Sequence, residues 1–467
     1  MKPGDGSRTF RKLAASFLIL AAAGVFFVRH PIGAISGPNS ALQLRRSPRL
    51  VSIRPLPSLD GLQCPWLPAG SGGGITLASL QQAIERPSGA SNPAGASLAS
   101  RELDLEPVRA LEDEYATYSA VAVDPVRNEI AIQDENLFQI LIFDRLANTP
   151  ASATMTEPKR ILSGPATKIE FNCGLYIDPK NGDLYSVNND TTDTTVIFEH
   201  GLQGNVPPSR ELHTPHGTYG IAVDEINGEM FFTIEHDNAV VAFEKLASGE
   251  DQPLRLIQGD HTGLGDPHGI AVDAENNWLF VANHGSTHRV RPDPQRPPRP
   301  NWPLTRSFAV PGSGRSEPPS ITVYERTAQG DAAPLRTIQG PRTQLNWPAQ
   351  ISLDPERGEL FVANDGGNSV LVFRTTDDGD AAPTRVIAGP QTGLLNPTGV
   401  WVDTVHDEVV VSSMGNHSAM VFPRTASGDV APLRIIRSAP LGKRALAIGN
   451  PGAVAYDSKR DELLVPN

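Results

Sequence analysis

Between residues 117 and 467 one pattern returns along the chain, and it constrains the fold more than any other feature. Each copy opens on a pair that is often Gly-Ile or Gly-Val and runs through x-Val-Asp. It then takes a tight polar turn and continues as an apolar strand ending near Ala-Asn. A Val-x-Val-Phe strand and a Gly-Asp-x-x-Pro-x-Arg-x-Ile segment follow. The clearest copy, PAQISLDPERGELFVANDGGNSVLVFRTTDDGDAAPTRVIAG, spans 348–389. The aspartate of the first strand recurs at Asp124, Asp178, Asp224, Asp273, Asp354, Asp403 and Asp457. Most of these lie about 45–55 residues apart, the period of a four-stranded propeller blade.

The two ends suggest how the ring closes. The last copy stops at Asn467 in LLVPN, where other copies read FVAN, and so holds only its first two strands. Residues 96–111, ASLASRELDLEPVRAL, resemble the later half-copy VFRTTDDGDAAPTRVI with a shortened loop. Pro107 and Arg109 then match Pro383 and Arg385. The expected fold is an all-β propeller over 96–467 with seven four-stranded blades, the last completed by N- and C-terminal strands. Such closure hides strand edges that would otherwise invite aggregation. Six blades is the alternative, if the divergent copy around Asp124 or the last copy does not pack as a blade.

The chain resembles the NHL-repeat type of β-propeller and its bacterial relatives. The resemblance rests on the GPxTxLxxP turn from Gly389 to Pro397, the Gly-Ile/Val-x-Val-Asp opening and FVAN, and it covers about 96–467. It implies an architecture more than an activity, because such propellers serve as scaffolds, binders and enzymes. Animal members often carry zinc-binding ubiquitin-ligase modules, and the two cysteines here, Cys64 and Cys173, do not supply one. In an exported chain these two could form a disulfide; two separate thiols is the favoured reading.

The N-terminus carries Lys2, Arg8, Arg11 and Lys12 ahead of the apolar run LAASFLILAAAGVFFV, 13–28. Residues 1–34 therefore read as a cleaved signal peptide or a short membrane anchor, and either form exports the repeats. Residues 35–95, rich in Pro, Gly, Ser and Ala, read as a flexible spacer. A net charge of -12 argues against a general nucleic-acid surface.

Repeats supply an internal control. The Asp series, and the Arg series Arg109, Arg160, Arg210, Arg255, Arg336, Arg385 and Arg434, return in every copy and are expected to hold blades together. Residues that break the pattern are better functional candidates. In a propeller the loops leading into each blade share one face with those joining strands two and three. Histidine gathers on that face: His216 and His268 lead into consecutive blades, and His236 and His284 follow their second strands. Together they could hold a divalent metal, zinc or calcium. Glu235 is a candidate ligand or general base, and Tyr219 a candidate proton donor or acceptor. Peptidyl-amide lyases and streptogramin-type lyases on similar propellers use such residues with a metal, which the resemblance extends here only as an implication. The bland alternative is that these loop histidines bond neighbouring backbone or face water. NNDTTD, 188–193, offers calcium-type oxygens but reads better as a solvated loop.

One copy carries an insertion, 285–320, with Arg289, Arg291, Arg296, Arg299 and Trp302. Its proline content favours extended structure on the histidine-bearing face, suited to partner binding or simply tolerated there. The functional expectation is an exported or membrane-anchored propeller that binds a protein, peptide or glycan through the loops of one face. The alternative is a metal-dependent lyase or hydrolase.

Overall fold

The computed structural model describes residues 113–189, 192–292 and 307–446, with 455–457, 459 and 462–464 near the C-terminus. All fall in the unit Pro55–Asn467. The expected signal or anchor, the spacer, Cys64, residues 96–111, Arg296, Arg299 and Trp302 lie outside the described residues. Among the described residues no helix is long and apolar enough to cross a membrane.

The described chain is all-β, with 3-10 turns as its only helices. Six four-stranded antiparallel sheets, spanning 118–163, 172–213, 218–257, 267–339, 348–388 and 397–437, are blades 1 to 6. Their first strands, Tyr118–Asp124, Asn172–Ile177, Thr218–Asp224, Pro267–Asp273, Pro348–Asp354 and Pro397–Asp403, line the centre. Each packs against the next, and the sixth packs directly on the first.

The expectation of seven blades is therefore corrected to six. The divergent copy around Asp124 builds a complete blade from its own four strands. The last half-copy does not extend the ring: Ala455–Asp457 and Glu462–Leu464 pair with each other as a separate two-stranded sheet. At the joint between blades 6 and 1, Thr398 Oγ1 donates to the Tyr118 carbonyl at 3.3 Å and the Thr149 N–H to the Ile435 carbonyl at 2.6 Å. His417, fully buried, contacts the Ala116 carbonyl and Asp113 there. The ring closes by blade 6 packing on blade 1, with no strand shared between them.

The recurrent residues are structural. The carboxylates of Asp124, Asp224 and Asp403 accept backbone N–H groups two and three residues on, fixing the turn into strand two. Arg255 and Arg434 make two-pronged pairs with Glu229 and Glu408 of their own blades, and Arg160 and Arg385 pair with Glu129 and Glu359. A second arginine reaches each of three of these glutamates from the following blade: Arg326 to Glu229, Arg424 to Glu359 and Arg145 to Glu408. Charge-assisted forks of this kind fix orientation as well as adding energy.

The centre is narrow. A Cβ placed on Gly269 would sit 2.2 Å from the Ala349 carbonyl oxygen, so only glycine lets these two inner strands approach. Gln350 stands where blades 2, 3, 4 and 6 have Gly174, Gly220, Gly269 and Gly399. Its amide accepts from the Val400 N–H at 3.2 Å and donates to the Val121 carbonyl at 3.3 Å, bridging blades 6 and 1 across the axis. Lower down, Trp401 packs against the cores of blades 1, 2 and 3. The axis is thus filled beneath the histidine-bearing face.

Candidate functional site

One backbone bond repeats at this face in every blade. The residue after strand two donates its N–H to the carbonyl of the residue just before strand one. The pairs are Glu135–Thr117, Asn189–Phe171, Glu235–Gly217, His284–Asp266, Asp365–Trp347 and Met414–Asn396, at 2.8–3.2 Å. These positions form the rim of the axial pit, and chain geometry, not side-chain choice, places them there. The residues present are unlike from blade to blade, which is where function is expected to lie. None of these rim positions carries Lys or Arg.

Blades 3, 4 and 5 build the most ordered part. His268, the second residue of its strand, is buried. Its Nε2 lies 2.9 Å from Glu235 Oε1, and its Nδ1 3.0 Å from the Asp266 carbonyl oxygen. Tyr219, one blade back, packs on its ring with centroids 4.1 Å apart. On the other side His284 stacks face to face, 3.4 Å between centroids and 19° between planes. Trp347 stacks on His284 in turn at 5.0 Å and 28°. The Trp347 indole ends the stack 58% exposed. Asn189 donates to Glu235 Oε2 at 3.2 Å and so ties blade 2 into the cluster.

The charges follow from this arrangement. Burial opposes charge on both His268 and Glu235, but their mutual bond outweighs it, raising the imidazole and lowering the carboxyl. They form an imidazolium–carboxylate pair. His284, buried and facing that imidazolium, is held well below the ordinary histidine range and is neutral. Its Nδ1 lies 3.8 Å from Asp266 Oδ2, while its buried Nε2 has no hydrogen-bond partner. Burial raises Glu135 to about 7, helped by Asp134 and Asp365, and raises Asp266 to about 6, helped by Glu235. Asp365 is raised by burial as well, although Asn396 donates to it at 2.8 Å. Burial, with Cys173 and the carboxylates of Glu135 and Glu235 nearby, keeps the Tyr219 phenol protonated, a donor and not a base.

Of the residues singled out from sequence, the structure brings together Tyr219, Glu235, His268 and His284. His216 and His236 lie outside that stack as an exposed pair with ring centroids 5.1 Å apart; His216 bonds Asp193 at 2.9 Å, and His236 Nε2 comes within 4.0 Å of Glu235 Oε2. Asn188 and Asn189 of the acidic-amide loop spend their side chains on protein groups, including the Lys168 and Thr218 carbonyls. Arg289 and Arg291 are exposed on the insertion. Its described parts include two short paired-strand ladders, Ser286–Thr287 with Arg315–Ser316 and Val290–Pro292 with Ser307–Ala309, and the proline-rich stretch 293–306, where extended structure is expected, lies outside the described residues. The arm starts directly after His284. It leans on blade 3, where Asn238 donates to the His288 carbonyl at 2.8 Å.

Four residues of this site are not among the sequence candidates: Glu135, Asp266, Asp365 and Trp347. None of them stands in a motif of its own, and the signal that exposes them is an alignment of the rim positions from copy to copy.

Among the described residues, Asp266, His268 and His284 bring ligand atoms within 4.8 Å of one another, close enough for one metal ion. Two features stand against that use in this arrangement. Both nitrogens of His268 already face acceptors. Nearly parallel stacked rings also direct their lone pairs side by side instead of converging on one point, as a tetrahedral ion requires.

No protein-family model and no curated protein sequence matches the chain. Among solved structures it is similar to a chain of the nidogen/laminin complex, at 13% identity over 69% of this chain and 93% of that one, TM-score 0.41. It is also similar to the hydrazine synthase of Kuenenia stuttgartiensis, at 12% identity over 69% and 100%, TM-score 0.44.

Proposed function

We propose that the protein is a binding propeller that captures a protein, peptide or glycan at the rim of its axial pit, and that the chain is exported or anchored with this face free to meet its ligand. One observation carries the reading. Five blades lead into strand one through a left-handed residue: Gly217, Asp266 and Asn396, types that tolerate it, and two aromatics, Phe171 at φ 28°, half-buried, and Trp347. Blade 5 places Trp347 there, at φ 53°, with its indole exposed over His284. A large aromatic side chain held in a costly backbone conformation, and turned to solvent beside an unpartnered buried nitrogen, serves contact with something outside the chain better than it serves the blade. The arm with Arg289 and Arg291, and with Arg296, Arg299 and Trp302 beyond the described residues, would form a second wall.

The test is binding of a panel of short peptides and oligosaccharides to the full chain and to Trp347→Asn. Support is a probe whose affinity falls at least tenfold in the variant. Unchanged affinity for every probe that binds would overturn the reading.

A second reading, a metal-dependent lyase or hydrolase, is favoured by the Asp266–His268–His284 trio and by Glu235 beside it. It requires His268 to turn away from Glu235. Metal analysis of the untagged full chain, purified without chelator, tests it. One equivalent of zinc or calcium, lost in His268→Ala, would support it, and no metal taken up from either salt would end it.

A further inference from the structure

Resting on the reading that the rim is the binding site, we infer that its ligand is a neutral oligosaccharide, one pyranose ring of which lies on the free face of the Trp347 indole while hydroxyls of that ring and its neighbour bond the side chains of Asn346 and Asp365.

The platform comes first. His284 stacks on one face of Trp347, with centroids 5.0 Å apart and planes at 28°, and the residue is nonetheless 58% exposed. The other face is a flat indole surface steadied by the ring behind it. The C–H face of a pyranose is apolar, with its hydrogens slightly positive, and it seats on the negative face of an aromatic ring.

The platform stands on a built corner. The Asp365 N–H donates to the Trp347 carbonyl at 3.1 Å, and the Gly366 N–H to the Asn346 carbonyl at 3.0 Å. The Asn346 side chain lies over Gly366, where a Cβ would come within 2.8 Å of its Oδ1. Across the joint to blade 6, Asn396 donates from Nδ2 to Asp365 Oδ1 and from its N–H to Asn368 Oδ1, each at 2.8 Å. Asn346 is one Cα step of about 3.8 Å from Trp347, and Asp365 is bonded to it, so two linked sugar units span the three residues.

This corner keeps hydrogen-bonding capacity for a ligand. Among the described residues nothing bonds the side chain of the exposed Asn346, and nothing donates to Asp365 Oδ2. An amide both donates and accepts, and a carboxylate accepts; a hydroxyl does both and meets either. A proline-rich peptide, another guest of exposed indoles, brings carbonyl acceptors but no donor for Asp365.

Charge narrows the class. The rim positions carry Glu135, Glu235, Asp266 and Asp365 and no Lys or Arg. An acidic sugar would set like charge beside like, whereas neutral hydroxyls donate to carboxylates without that cost.

The experiment is calorimetric titration of the full chain with three neutral β-1,4-linked tetrasaccharides (of glucose, mannose and N-acetylglucosamine), with tetragalacturonate, and with acetylated, amidated hexaproline. At least one neutral tetrasaccharide is expected to bind, and more tightly than tetragalacturonate. Trp347→Asn is expected to weaken it about tenfold or more. Asn346→Ala, which removes no bond within the described chain, is expected to weaken it about three- to tenfold, the value of one hydrogen bond, with Tm unchanged. Hexaproline binding lost in Trp347→Asn, with no neutral sugar bound, would overturn the oligosaccharide while leaving the rim as the site. Sugar binding undiminished in both variants would overturn both readings. Binding of no neutral sugar, or tighter binding of tetragalacturonate, would overturn the inference.

Discussion

Arg145 of blade 1 places its Nη1 2.7 Å from Glu408 Oε2 of blade 6, the same reach that Arg424 of blade 6 makes to Glu359 of blade 5. The seam is therefore built like an ordinary joint between blades. Arg145 is 8% exposed, and its Nε also donates to Asn128 at 2.8 Å. Removing one partner of a buried pair typically costs about 3–5 kcal/mol. Arg145→Ala and Arg424→Ala should lose comparable stability in urea unfolding. A loss at the seam of under about 0.5 kcal/mol, the level of a neutral surface change, would mean that the ring is not closed there.

The inner strands test how closely neighbouring blades pack at the axis. In Gly269→Ala the new methyl would meet the Ala349 carbonyl oxygen at 2.2 Å, backbone against backbone, with no flexible neighbour to yield. Overpacking of this kind costs about 1–3 kcal/mol or more. Thermal unfolding should show a lower Tm for Gly269→Ala and little change for Gly314→Ala, where a Cβ meets nothing within 4 Å.

Trp347 separates stability from binding. A left-handed conformation costs a residue with a Cβ about 1–2 kcal/mol, and asparagine less than most. Trp347→Asn gives up the stack on His284 but relieves the backbone, so its stability should lie within about 1 kcal/mol of the parent. Trp347→Ala gives up the stack without that relief and should be less stable than Trp347→Asn. The reverse order in chemical denaturation would remove the backbone argument.

Glu135 gives a pH signature. Its carboxyl titrates near 7 in the folded protein because burial disfavours its charge, against about 4.3 in an unfolded chain. The folded state thus holds the extra proton between these values. The stabilising effect of that proton is complete below the unfolded value and disappears as pH rises through about 7. Glu135→Gln should raise stability at pH 8 by about 1–3 kcal/mol and change it little at pH 4. A variant equally stabilised at both pH values would contradict this.

The blades were legible because each copy repeats its own punctuation: the aspartate that caps the turn, the apolar second strand, the arginine that forks onto a glutamate. The number of blades was not. The half-copy ending LLVPN looks in sequence like half of a blade, and it takes the contacts of blade 1 with blade 6, Tyr118 with Thr398 and Arg145 with Glu408 among them, to show the ring already shut. At the site, histidine was a visible signal, and two of the residues it marked, His268 and His284, stack on one another in the structure. It did not separate them from His216 and His236, because the difference is burial in the axial stack. Trp347 and Asp365 were hidden for another reason. Each is unremarked within its own copy and becomes unusual only when set against Asn396 and Met414, or Gly217 and Glu235, at matching rim positions.

The rim reading is tested most directly by nitrogen NMR of the histidine side chains in the full chain during titration with a peptide or oligosaccharide of the panel that binds. In the free protein His268 should show an imidazolium and His284 a neutral ring. On titration the His284 ring signals should move, through the stack on Trp347, with the same midpoint as binding measured by calorimetry, while His261, paired with Asp331 away from the stack, stays in place. Binding that leaves the His284 resonance unmoved would place the ligand elsewhere and contradict the account.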